Sequence, residues 1–108
     1  MDKFKRYGFI ADEDRSKLND MFSKGKFKEI HMDTYMNDPY ILFSRVKESS
    51  VKSIVENNRV ILRRKDGIAI MDIVFDSIEN CAIKQYAPSH YQILFEIHNI
   101  SYKLLIVF

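Results

Sequence analysis

Three histidines, one cysteine and a basic run are the residues of this chain whose types could do chemistry. His31 stands two residues before Asp33, a spacing that on a strand puts both side chains on one face. Such a pair holds a metal ion only when further ligands arrive from elsewhere in the fold. A polar surface face explains the pair as well, and no metal site is expected. His90 follows Ser89 directly, whereas nucleophilic catalysis needs serine, histidine and an orienting acid brought together in space. His98 falls near a hairpin end. Cys81 has no basic neighbour in the chain to lower its pKa and reads as a small structural thiol. As the single cysteine it leaves no partner for an intramolecular disulfide. The glycines at positions 8, 25 and 67 are too scattered for a phosphate-cradling loop. These residues make no catalytic constellation, so a non-enzymatic protein without a cofactor is expected.

The densest basic run is Arg63-Arg64-Lys65, preceded by Arg59. On a strand Arg59, Arg63 and Lys65 share a face, which suits phosphates or an acidic protein surface. The alternative is a solvated face whose cations guard a strand edge against unwanted pairing. Lys24, Lys26 and Lys28 form a second cluster that joins the first only if the fold brings the two together. The whole chain is nearly neutral, with 17 basic and 15 acidic residues. Nucleic-acid binders usually carry a basic excess, so the overall charge does not favour that class. Tyr86 and Tyr91 flank the loop Ala87-Pro88-Ser89-His90. They are the aromatic candidates for partner contact, with cross-strand packing as the alternative.

The elements that must position these residues follow from apolar spacing. The 108 residues make one domain. Leu18, Met21 and Phe22 lie at i, i+3 and i+4, and Asp12-Glu13-Asp14 stands where acids favour a helix start. The spacing predicts a helix over 12–24, with Asp12 as its N-cap and Gly25 as its stop. Phe4 to Ile10 reads as a short edge strand. Phe27 to Met36 alternates only weakly, and Asn37-Asp38-Pro39 breaks it.

From about 40 to 108 the period is two. Tyr40, Leu42, Ser44 and Val46 form one face, and Glu48-Ser49-Ser50 reads as a turn or bend. Asn57-Asn58 and Asp66-Gly67 each suit a two-residue hairpin turn, since Asn and Gly tolerate positive φ. Further turns fall at Asp76-Ser77 and near Asn99. The last strand is apolar on both faces. Leu104, Ile106 and Phe108 therefore belong in a covered sheet interior or a subunit interface.

The stretch Ser53-Ile54-Val55-Glu56-Asn57-Asn58-Arg59-Val60-Ile61-Leu62 resembles the second hairpin of bacterial PH-like domains. Ile73-Val74-Phe75-Asp76-Ser77-Ile78-Glu79-Asn80 is similar to the acidic bend after their next strand. The resemblance spans roughly residues 40–108 and implies a bent barrel closed at one end by a helix. It departs at the C-terminal end, where a strand stands in place of the family's closing helix; an N-terminal helix would have to take that part. Asp33-Thr34-Tyr35-Met36-Asn37 also echoes the Asp-x-x-Met-Asn of Sm-like RNA-binding proteins, but Asp38-Pro39 interrupts the strand that should follow.

The fold expected is α+β and mostly β: an N-terminal helix packed on a bent antiparallel sheet or a partly open small barrel. The function expected is a protein-binding module, such as a bacterial or phage-encoded regulator or inhibitor, acting through a sheet edge or face and able to form a homo-oligomer. The alternative is nucleic-acid or anionic-surface binding through the Arg59, Arg63 and Lys65 face. No run approaches the ~18 apolar residues of a transmembrane helix, and no secretory signal stands at the start, so a cytoplasmic location is expected. The abundance of Ile and Lys over Ala fits an AT-rich genome, hence the bacterial or phage source.

Overall fold

A computed structural model describes residues 11–37 and 40–108. The edge strand expected at Phe4 to Ile10 lies outside them, as does Asp38-Pro39. One helix, α1 (Asp12–Phe22), precedes seven strands: β1 (Lys26–Met36), β2 (Ile41–Glu56), β3 (Arg59–Arg63), β4 (Ala69–Val74), β5 (Ile78–Ala87), β6 (His90–Ile97) and β7 (Ile100–Val107). All pairings are antiparallel, in the order β4-β3-β2-β1-β7-β6-β5, and the sheet curls into a half-barrel.

The helix starts one residue away from the expected cap. Ala11, with φ −63° and ψ 146°, is the N-cap and makes no side-chain cap bond. Asp12 is instead the first helical residue, and Asp12, Glu13 and Asp14 together fill the first turn, where the macrodipole favours acids. The helix ends at Phe22 rather than at residue 24, and Gly25 follows with φ +79°. Leu18, Met21 and Phe22 enter the core, where each large apolar side chain is worth about 1.5–3 kcal/mol over exposure.

The weakly alternating stretch after Gly25 is β1, the central strand. Its buried residues are Phe27, Ile30, Met32 and Thr34. The step from Phe27 to Ile30 is three residues, which spoils a period-two reading. Strand β2 makes the same step: Phe27 lies opposite Val51, and Ile30 opposite Glu48. Both strands thus kink together around Lys28-Glu29 and Ser49-Ser50, and Ser50 takes φ +56°. The expected turn at Glu48-Ser49-Ser50 is therefore a bend inside one sixteen-residue strand. A second irregularity sits at Phe43, where Thr34 pairs with Ser44 but Tyr35 with Leu42. It breaks the face expected for Tyr40, Leu42, Ser44 and Val46. Ser44 and Val46 are half-buried, while Tyr40 and Leu42 are exposed.

Asn57-Asn58 does form a two-residue turn between paired Glu56 and Arg59, with Asn57 at φ +46°. Asp66-Gly67 does not. The β3–β4 connection spans five residues, closed by the Arg64 N–H donating to the Ile68 carbonyl at 2.8 Å, with Gly67 at φ +91°. Asp66 spends its side chain inside that loop, accepting from the Ile68 N–H at 3.1 Å. Pro88-Ser89 is a two-residue turn between paired Ala87 and His90, and His98-Asn99 turns with His98 at φ +57°.

The last strand is interior, between β1 and β6. Leu104 and Ile106 are buried in the chain's own core beside Ile30 and Ile93, so one face of β7 is covered without a second subunit. Phe108 packs edge-on against Phe27 and Tyr91, at 5.0 and 5.5 Å between ring centroids. The sheet edges are β4 and β5, and α1 covers the concave side, touching both β2 and β5. No helix among the described residues is long and apolar enough to cross a membrane.

Candidate functional site

Strand β2 is paired with β1 from Ile41 to Lys52, but β3 meets it only from Lys52 to Glu56. From Ile41 to Ser50 its second side has no sheet partner among the described residues. Backbone N–H and C=O groups on such an edge are a template for another strand. The same segment begins with a run of exposed apolar residues. Tyr40 is 66% exposed, Ile41 50%, Leu42 39% and Phe43 52%. Met36, opposite Ile41, is exposed as well. Scattered exposed apolar residues are normal in proteins, whereas a contiguous apolar patch on an open edge marks an interaction surface.

The patch has a fixed shape. Tyr40 stacks on Tyr35 with centroids 4.6 Å apart and planes 6° from parallel. The two rings border an open depression of about 350 Å³, further lined by Leu94, Phe95, Tyr102 and Lys103. Beyond Phe43 the edge becomes cationic. Arg45 grips Asp33 through two bonds, Nε to Oδ1 at 3.0 Å and Nη2 to Oδ2 at 3.3 Å. The Asp33 carboxylate raises the Arg45 pKa, by its hydrogen bond first and its charge second. Lys47, by contrast, has no carboxylate within ion-pair distance among the described residues.

Because Asp33 is committed to Arg45, the expected His31–Asp33 pair does not form. His31 turns to Glu29, with Nε2 at 2.7 Å from Oε1, and that hydrogen bond holds the Glu29 carboxyl below its ordinary pKa. Both line an open depression of about 650 Å³ with His90 and Tyr86, floored by Leu105 and Val107. The outward apolar face of β7 thus opens into a hollow. Tyr86 reaches Gln92 with its hydroxyl and carries Lys84 over its ring at 5.3 Å. Tyr91 is half-buried and packs edge-on against Phe108, and it lines the same depression as Tyr86.

The basic run is also divided. Arg59 is matched by Asp72 at 3.2 Å, and Arg63 donates to the Gly67 carbonyl at 2.9 Å. Arg64 lies between Asp66 and Glu48, at 2.9 and 4.0 Å. Arg59 lines a separate hollow with Asn57, Asn58 and Val74, whereas Lys65 lies in a cleft beside Lys26, Lys28 and Lys52. Cys81 is half-buried, and burial first and Asp14 second push its thiol up to about 11.

The exposed residues Met36, Ile41, Leu42 and Phe43 carry no motif that spacing alone could flag. Their exposure follows from the bulge at Phe43 and from the short reach of β3. Comparison with protein-family models, with curated proteins and with solved structures returns no match to this chain.

Proposed function

We propose that this chain is a non-enzymatic protein-binding module, a regulator or inhibitor that takes an extended segment of its partner as an added strand on the edge of β2. The observation that carries the reading is the short reach of β3. It leaves Ile41 to Ser50 paired on one side, with Tyr40 to Phe43 exposed at the head of that edge. Strand addition draws affinity from main-chain hydrogen bonds and specificity from alternate side chains. An aromatic anchor seated in a depression is the usual centre of such an interface. Here the Tyr35–Tyr40 stack supplies the aromatic anchor at the head of the edge, and its hollow extends away from that edge over β7, β6 and β5. The partner segment is alternately apolar and carries an acid where it passes Lys47. A curled sheet covered by α1 is in keeping with a PH-like scaffold in which the covering helix is N-terminal.

Selection of a displayed library of extended peptides on the whole protein tests this. The selected segments should alternate apolar residues with at least one acid and bind at least about tenfold more weakly to the Ile41→Lys/Phe43→Lys variant. Both side chains are exposed, so the double change should leave stability within about 0.5 kcal/mol per site. Selected peptides indifferent to both substitutions would overturn the reading.

A further inference from the structure

The shared kink of β1 and β2 has a second product, next to the end of the open β2 edge at Ser50. It gathers Lys26, Lys28, Lys52 and Lys65 around one cleft of about 410 Å³, floored by Phe27 and Phe108. Register explains the crowding. Lys26 lies opposite Lys52, and Lys52 lies opposite Arg63 on its other side, so three cations stand in a row across adjacent strands. The kink then turns Lys28 and Ser50 to the same cleft, and the five-residue loop carries Lys65 over it. Lys24 stands at its margin, over the Phe108 ring at 5.4 Å.

Like charges placed directly opposite on neighbouring strands destabilise a sheet. Elsewhere the fold avoids this. Arg15, Lys17, Arg45, Arg59 and Arg64 each have a carboxylate within 4.0 Å. Among the described residues none of Lys24, Lys26, Lys28, Lys52 and Lys65 has one. The nearest acids in the loop, Asp66 and Glu48, are engaged by Arg64. Arg63, Lys47, Lys84 and Lys103 also have none among the described residues, so what sets this group apart is that four unmatched lysines gather around one concave site.

We infer that this cleft binds a small, multiply phosphorylated ligand with a flat apolar portion, the chemistry of a nucleoside polyphosphate. Lysine ammonium groups bind phosphates as point charges and need no fixed fork geometry. Four of them on one cleft match several phosphate charges. The volume falls within the range of small-ligand sites, roughly 300–1,000 Å³. The half-buried Phe108 ring gives the apolar portion a surface to lie on, with the buried Val51 and Phe27 beneath it. Ser50 ends the open β2 edge and also lines this cleft, but Lys26, Lys28, Lys52 and Lys65 lie outside that edge, so substitution of the lysines tests this site separately from the edge.

Calorimetric titration of the whole protein with inorganic tripolyphosphate and, separately, with adenosine triphosphate tests the inference. At about 50 mM salt both should bind saturably, the nucleotide more tightly, and both should weaken as salt rises. The Lys28→Ala/Lys52→Ala variant should lose at least about tenfold in affinity for each, with a midpoint of thermal unfolding equal to or above that of the parent. Lys65→Ala, in an exposed loop, should weaken both ligands without touching the sheet. A single-stranded oligothymidylate that displaces tripolyphosphate would assign the phosphates to a polymer backbone, and one that does not would assign them to a free ligand. Absence of saturable binding by either phosphate compound, or binding unchanged in the double variant, would overturn the inference.

Discussion

The Ser53 hydroxyl donates to the carbonyl oxygen of Phe22 at 2.5 Å, and this bond ties the end of α1 to the long strand β2. The last carbonyls of a helix have no partner within it. Ser53 serves two of the acceptors at this junction, since its backbone N–H also donates to the Gly25 carbonyl at 3.1 Å. The Phe22 carbonyl also accepts from the Gly25 N–H at 3.1 Å, so Ser53→Ala should cost about 0.5–1.5 kcal/mol, the net worth of one hydrogen bond. Chemical denaturation measures it, and an unchanged midpoint would mean that α1 is held by its apolar stripe alone.

The kink is the second point of leverage. Ser50 sits at φ +56°, where a side chain costs roughly 1–2 kcal/mol that glycine avoids. Ser50→Gly should be neutral or stabilising, and Ser50→Val destabilising by about 1–2 kcal/mol. The reverse order in thermal melts would place the bend elsewhere.

Repulsion in the cationic row is also measurable. Replacing Lys52 with Gln removes its opposition to both Lys26 and Arg63. Each relieved pair is worth about 0.2–1 kcal/mol, so Lys52→Gln should raise stability, and more so at low salt. A fall in stability at low salt would show the row to be compensated in solution.

Cys81 makes a pH prediction. Its thiol is pushed up to about 11 by burial and by Asp14, from an ordinary value near 9. The unfolded chain gives up this proton at lower pH than the folded one. Stability from this group is therefore intact below about 9 and declines as pH rises toward 11. Alkylation by iodoacetamide at pH 8 should be slower in the folded protein than in denaturant, where the thiolate fraction is larger. Equal rates would remove the shift.

Much of the fold was legible in the spacing. Leu18, Met21 and Phe22 announced the helix, and alternating residues from Arg59 onward announced the hairpins. Asn57-Asn58 was readable because two residues with the right backbone tolerance are all that turn needs. Asp66-Gly67 misled for the opposite reason. The same residue types serve a five-residue loop, in which Asp66 bonds the Ile68 N–H instead of shaping a tight turn. β1 was hard to read because a three-residue step interrupts its alternation, and the cause of that step is the paired kink in β2, remote in sequence. The sites shared that fate. Arg59, Arg63 and Lys65 share a sequence pattern, yet Asp72 and the Gly67 carbonyl take the first two. Lys26 and Lys52 come together through strand register, which no local pattern encodes.

Amide hydrogen exchange across β2 tests the central claim most directly. In the free protein, amides of 41–50 should divide into a protected set, bonded to β1, and a fast set on the open edge. Adding a selected peptide should slow the fast set and leave the Lys52–Glu56 amides, already held by β3 where they face it, unchanged. Uniform protection of 41–50 in the free protein, or protection by the peptide confined to other strands, would contradict the account.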